Sequence, residues 1–300
     1  MTLVELSEPT ARWLHQGRHL VLDGRKVFVH ERGEGPAVLL LHGFPTSAYD
    51  WRRVVEQSAP GFHCVAPDLP GFGLSDKPRA YSYSLFQQAD VIEQLAGALG
   101  VTSAHVVSHD MGTSVHTELL AREREGRLGF RVLTSTFLNG SILKRLATLT
   151  DFQRLLESPA TLDEAVALCE NMLPHYVAGL TRLMARPDAV SEEDAVVMTE
   201  LLAYHDGHRR IPQVYAYVRE RYLLQDRWVD AMRHAAGPLQ ILWAADDPVA
   251  NRAMGAALAE LVPTAQFREA PGIGHFLPIE APELVADTLR TFVAATGERH

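Results

Sequence analysis

Ala104-His105-Val106-Val107-Ser108-His109-Asp110-Met111-Gly112-Thr113-Ser114-Val115 is the stretch that decides how this chain is read. It starts as a short apolar strand, turns sharply, and continues as the first turn of a helix. Ser108 and Gly112 flank Asp110 at minus two and plus two. This small-x-nucleophile-x-small spacing is that of a nucleophile elbow, in which small residues let strand and helix approach and the central side chain stands out alone. The commoner central residue is Ser; here it is Asp. A carboxylate nucleophile attacks carbon electrophiles and leaves an ester behind. Asp is also a good helix N-cap, so the residues around the stretch have to decide its role.

On the N-terminal side, His19 to Leu22 and Lys26 to His30 read as strands joined at Asp23-Gly24, a hairpin signal. Ala37 to Leu41 is apolar throughout, as expected of a strand buried on both faces, and runs into His42-Gly43-Phe44-Pro45. His63 to Pro67 is a second such strand, closed by Asp68-Leu69-Pro70-Gly71-Phe72-Gly73. Ser84 to Leu99 has helical periodicity. On the C-terminal side, the elbow helix runs to about Glu125 and Arg131 to Phe137 is a strand. From Gly140 to about Ala235 the pattern is of helices and turns. Strands return at Leu239 to Ala244 and Gln266 to Ala270, separated by a helix from Asn251 to Leu261, and Pro282 to Ala295 closes the chain as a helix. Alternating strands and helices predict an α/β fold with a mostly parallel sheet flanked by helices. The helical block interrupts that alternation, so it reads as an inserted cap: 1–139 and 236–300 form the core and 140–235 the cap.

The bulk numbers fit one large domain with an insertion: 300 residues, 47% hydrophobic, net charge −9. The negative balance gives no electrostatic support for a nucleic-acid partner. No stretch approaches the roughly 18 apolar residues that span a membrane, and Met1 to Gln16 lacks a secretory pattern. Cys64 and Cys169 are far apart and form no motif, which fits a reducing compartment. A cytoplasmic monomer or homodimer is the expectation.

Asp110, Asp247 and His275 each follow a strand, in the chain order nucleophile, acid, histidine. That is the order of the α/β-hydrolase triad. The His42-Gly43-Phe44-Pro45 loop follows an earlier strand and is placed to form an oxyanion hole from the backbone N–H groups of Phe44 and Met111. Singly, each has an ordinary reading: Asp247-Pro248 starts a turn, His275 is a loop histidine, and His42 is a structural hydrogen bonder. Their joint order and placement argue for a site.

Over nearly its full length the chain resembles the α/β-hydrolase superfamily. His42-Gly43-Phe44-Pro45, taken with Ser108-His109-Asp110-Met111-Gly112, resembles the epoxide hydrolase and haloalkane dehalogenase branch, and Pro70-Gly71-Phe72-Gly73-Leu74-Ser75-Asp76 is similar to a loop shared widely in it. The stretch from His42 to Trp51 and that around Tyr217 are also similar to the mesoderm-specific transcript protein. The resemblance implies a hydrolase with a covalent ester on Asp110. Haloalkane dehalogenases typically hold halide with a Trp after the nucleophile and many use an Asn after the His-Gly; here those positions are Met111 and Phe44, whose side chains donate no hydrogen bond. Fluoroacetate dehalogenases carry Arg where Met111 stands. Epoxide hydrolases use cap tyrosines as acids toward the opening ring oxygen. Tyr217 matches the late-cap Tyr best, with Arg221 one turn on. Tyr215 is its rival, expected on a different helix face. The early cap, Ser141 to Leu156, lacks the usual partner Tyr, and Tyr176 or Tyr204 are substitutes.

The resemblance therefore implies an epoxide hydrolase, a hydrolase acting on an ether bond, with a small apolar epoxide and water as its partners and no metal or organic cofactor. Haloalkane hydrolysis by the same residues is the alternative. A non-catalytic binding protein on this fold is the third reading.

Overall fold

The computed structural model describes residues 6–297. Its centre is an eight-stranded sheet: β1 (Gly17–Leu22), β2 (Arg25–Arg32), β3 (Ala37–Leu41), β4 (His63–Pro67), β5 (Ser103–Ser108), β6 (Arg131–Phe137), β7 (Leu239–Ala244) and β8 (Gln266–Ala270). The spatial order is β1-β2-β4-β3-β5-β6-β7-β8. β1 and β2 form an antiparallel hairpin whose turn carries Asp23 and Gly24 at positive φ, and β2 pairs antiparallel with β4. All later pairings are parallel.

The apolar runs explain this arrangement. Ala37–Leu41 and Leu239–Ala244 are buried along their whole length, because helices cover both faces of the central strands. Arg52–Ser58 packs with the C-terminal helix Pro282–Gly297; Leu85–Ala98 and Gln225–Arg233 pack with the elbow helix Met111–Arg124. Cys64 and Cys169 are buried free thiols. Among the described residues no helix is long and apolar enough to cross a membrane.

Strand order reverses between β3 and β5, which pair in parallel from Ala37 with Ala104 to Leu41 with Ser108. Ligands of open α/β sheets bind beyond the strand C-termini at such a reversal. The sequence therefore delivers His42-Gly43-Phe44 and His109-Asp110 side by side. Gly112 makes the approach feasible: a Cβ there would lie 2.4 Å from the Leu41 carbonyl oxygen and 2.7 Å from that of His42. Gly112→Ala is accordingly expected to destabilise the fold by about 1–3 kcal/mol, the usual range for overpacking. A shift of the denaturation midpoint at unchanged slope would measure it.

Between β6 and β7 every regular element is a helix. Helices Glu192–Ala203, Ile211–Tyr215 and Tyr217–Leu223 stand over the strand ends, whereas Gln225–Arg233 lies along the elbow helix, with Trp228 Nε1 donating to Glu118 at 2.9 Å. An N-terminal helix, Glu8–His15, supports this block from outside: Ser7 Oγ donates to Glu200 at 2.8 Å and Arg12 pairs with Glu193 at 2.8 Å.

Candidate active site

Asp110 sits at φ 45°, ψ −112°, between the end of β5 and the first turn of Met111–Arg124. Positive φ is costly for a residue with a side chain, and such strain concentrates at functional sites. Its surroundings hold it there. The Asp110 N–H donates to the Asn139 carbonyl (2.8 Å), and its own carbonyl accepts from Thr113 Oγ1 (2.6 Å). Gly43 leaves room for the side chain, since a Cβ at that position would meet Asp110 Cβ at 2.6 Å.

The two carboxylate oxygens of Asp110 face different groups. Oδ1 accepts from the Phe44 backbone N–H at 2.8 Å. Oδ2 lies 3.8 Å from His275 Nε2. The Met111 N–H, first of the helix, has no protein acceptor among the described residues. His42 has a supporting position: its Nε2 accepts from the Leu69 N–H (3.0 Å) and its Nδ1 donates to the Gly43 carbonyl (2.8 Å), which fixes the loop carrying Phe44. Burial lowers its pKa, which suits the neutral ring these two bonds require.

His275 donates from Nδ1 to Asp247 Oδ2 at 2.8 Å. Asp247 is completely enclosed by donors: Val249 N–H (2.7 Å) and Ala250 N–H (3.0 Å) to Oδ1, and Asn139 Nδ2 (2.9 Å) to Oδ2. Burial on its own favours the neutral imidazole of His275. The Asp247 carboxylate and its hydrogen bond, then the charge of Asp110, outweigh burial and raise His275 to about 9.

The structure thus brings Asp110, Asp247, His275 and Phe44 together, with Met111 adjacent. It treats the tyrosines differently. The Tyr217 ring lies 5.8 Å from Phe44 and 4.9 Å from the Arg221 guanidinium, and the Tyr215 ring lies 5.6 Å from Phe44. The expectation that these two tyrosines point to different faces fails: both rings pack on Phe44, 6.1 Å from each other. The reason is local. Ala216 separates two short helices, and bonds from Ala216 N to Gln213 O and from Arg219 N to Ala216 O tighten the turn to three-residue spacing. Burial, followed by the charge of Asp110, holds the Tyr217 phenol well above its usual range, so it keeps its proton. Tyr176 donates instead to the Pro45 carbonyl (3.2 Å), and Tyr204 stacks on His205, so neither is turned to the triad.

Three residues escaped the sequence reading or carried no role in it. Asn139, at the end of β6, ties Asp247 to β7 by also bonding both the N–H and carbonyl of Ala244. Glu280 accepts from the N–H groups of Gly274, Phe276, Ala185 and Arg186, which ties the His275 loop to the helical block. Arg221 is 2% exposed and donates to Ser114 Oγ (2.7 Å) and the Asp110 carbonyl (3.1 Å), with no carboxylate within ion-pair distance among the described residues. Asn139 and Glu280 have only weak signals: a polar residue two positions after a strand, and an acid five residues after a histidine.

Comparison with known proteins agrees with this architecture. The family model described as alpha/beta hydrolase fold matches residues 36–282. The chain is 38% identical over 284 residues to a Mycobacterium tuberculosis protein named "Putative hydrolase LipZ", covering 94% of this chain and 97% of that one. It is 32% identical over 253 residues to the human mesoderm-specific transcript homolog protein, covering 82% and 75%. Among solved structures, haloalkane dehalogenase DbeA from Bradyrhizobium elkani superimposes with a TM-score of 0.79 at 25% identity, covering 95% and 99%. Epoxide hydrolase VrEH1 from Vigna radiata does so with a TM-score of 0.75 at 24% identity, covering 93% and 97%. Sheet order, the strained elbow and a family match over most of the length converge: the chain belongs to the α/β-hydrolase fold family.

Proposed function

We propose that this hydrolase opens an epoxide to a vicinal diol through a covalent ester on Asp110. The observation that carries the reading is the kind of nucleophile: a carboxylate, with one oxygen on a backbone N–H and the other turned to a histidine–aspartate pair. A carboxylate is itself the nucleophilic form and needs no base before it attacks. Asp110 Oδ2 forms the bond to an epoxide carbon, the carbon–oxygen bond of the ring breaks, and the Tyr217 phenol protonates the departing oxygen.

The second step uses the histidine. His275 owes part of its high pKa to Asp110. Esterification removes that charge, which lowers the His275 pKa and leaves more of the imidazole neutral when a base is needed. Its Nε2 takes a proton from water, and the hydroxide attacks Asp110 Cγ. Negative charge develops on Oδ1, where the Phe44 N–H already points and the Met111 N–H is free; each such donor is worth about 3 kcal/mol. On collapse His275 gives its proton to the departing former Oδ2, the diol leaves, Asp110 keeps the water oxygen, and the remaining proton of its carboxyl restores the Tyr217 phenol.

Alkyl halides are the second reading, because the ester chemistry is the same and the name of one structural relative is a haloalkane dehalogenase. The residues at 44 and 111 weigh against it, since neither side chain donates to a halide, whereas Tyr215 and Tyr217 both lie against Phe44. A panel of aryl and alkyl epoxides assayed for diol, run beside short haloalkanes assayed for halide, tests the choice. Diol without halide is the expected result; halide without diol overturns it. Absence of turnover on both panels supports the non-catalytic reading.

The acid has its own test. Tyr217→Phe is expected to slow formation of the ester about a hundredfold, within the range of general acid catalysis, and to change ester hydrolysis much less. Tyr215→Phe should be milder. Pre-steady-state alkylation rates of the two variants measure this, and a larger loss at Tyr215 transfers the role.

A further inference from the structure

A narrow cavity bordered by Phe44 lies between the oxyanion loop, the 71–77 loop and the helical block. Its walls from the helical block are apolar, including Met198, Leu201, Leu202, Ile211 and Val214. The polar side chains on its border are nearly all occupied. Lys77 Nζ donates to the carbonyls of Gly73 (2.5 Å), Ser75 (3.1 Å) and Phe72 (3.4 Å), which uses its three protons. Tyr176 donates to Pro45, Thr46 Oγ1 donates to Asp50 Oδ2 at 2.5 Å, and Ser47 Oγ accepts from the Tyr49 N–H.

Asp50 is the exception. It is 1% exposed, it borders this cavity, and its Oδ1 has no hydrogen-bond partner among the described residues. No cation pairs with it among the described residues; Arg52, two positions on, is engaged with Asp194 at 2.6 Å. A buried carboxyl oxygen without a partner is costly, and each such group in a native structure calls for an explanation. Packing alone gives none, because an apolar side chain would suit these walls better.

We infer that Asp50 is a recognition residue for a hydroxyl group on the substrate, placed at the end remote from the carbon that Asp110 attacks. This deepens the epoxide reading and rests on it for the identity of the reacting group. Phe44 belongs to both site and cavity: its N–H bonds Asp110 Oδ1, and the residue lines the cavity. A hydroxyl fits better than an ammonium. The apolar walls penalise a charged group. Burial raises the Asp50 carboxyl to about 7, and a hydroxyl can donate to the ionised form and accept from the neutral one.

The test compares epoxyalkanes with ω-hydroxy epoxyalkanes of the same heavy-atom count, over a series of chain lengths. At one length the wild type should favour the alcohol about 10- to 100-fold in kcat/KM, the size expected of a hydrogen bond to a charged group. Asp50→Leu should abolish or invert that preference. Asp50→Asn, nearly isosteric and still an acceptor, should retain part of it, and it serves if the Leu variant does not fold. A binding measurement separates this inference from the epoxide reading. Unreactive alkanols and α,ω-alkanediols should bind the wild type by calorimetry, with affinity lost in Asp50→Leu, whether or not any epoxide is turned over. Equal selectivity in wild type and both variants at every chain length, together with no Asp50-dependent alkanol binding, overturns the proposal.

Discussion

His275→Ala is expected to stop turnover while leaving the first chemical step intact. Nothing in that step requires the imidazole, because an ionised carboxylate attacks without a base. The second step loses the group 3.8 Å from Asp110 Oδ2 that would take a proton from water. Losing a residue that acts as part of such a unit lowers turnover by roughly 10⁴-fold or more. Intact-protein mass spectrometry should therefore show an adduct of the epoxide's mass that persists, mapped to Asp110 by peptide analysis. The variant should stay folded, because Asp247 keeps its bonds to Asn139, Val249 and Ala250. A folded variant that forms no adduct removes His275 from the role assigned to it.

Asp247→Asn should cost about as much, through proton placement rather than shape. Val249 and Ala250 donate two N–H groups to Oδ1, so an asparagine would turn its carbonyl oxygen to them. Its amide nitrogen would then face His275 Nδ1 and Asn139 Nδ2, where Asp247 now accepts from both. His275 would have to accept at Nδ1 and carry its proton on Nε2, the nitrogen that should take the proton from water. Loss of the correct tautomer costs about 10⁴-fold in a related triad. Rapid-quench measurement of ester hydrolysis checks this, with the alkylation rate as internal comparison. Hydrolysis within tenfold of wild type would show that Asp247 does not set the tautomer.

Much of the fold is legible in local pattern. Ala37–Leu41 is wholly and Leu239–Ala244 mostly apolar, both are short and ended by turn residues, and each is a strand. The elbow is legible because its chemistry lies within five consecutive residues, Ser108 to Gly112. The supporting groups are not. Asn139 and Glu280 act through backbone N–H and carbonyl groups of segments distant in sequence, and no spacing rule encodes such partners. Asp50 is invisible in sequence for a related reason: its significance is that Oδ1 lacks a partner among the described residues, which only the packed cavity reveals. The shared direction of Tyr215 and Tyr217 depends on a tightened turn at Ala216, where ideal helix geometry misleads. The helix Glu8–His15 is short and gave no strong signal; it is anchored by buried Trp13, packed on Phe28, His30 and Tyr49, together with bonds to Glu192–Ala203.

The central claim is that Asp110 forms an ester whose acyl carbon water then attacks. One turnover in heavy-oxygen water, with enzyme in excess over epoxide, measures it most directly. Because the diol should leave with Asp110 Oδ2, the label is expected in the Asp110 carboxylate and absent from the newly formed hydroxyl of the product. Label in the product alone, with Asp110 unlabelled, would mean that water attacks the epoxide directly and that no ester forms.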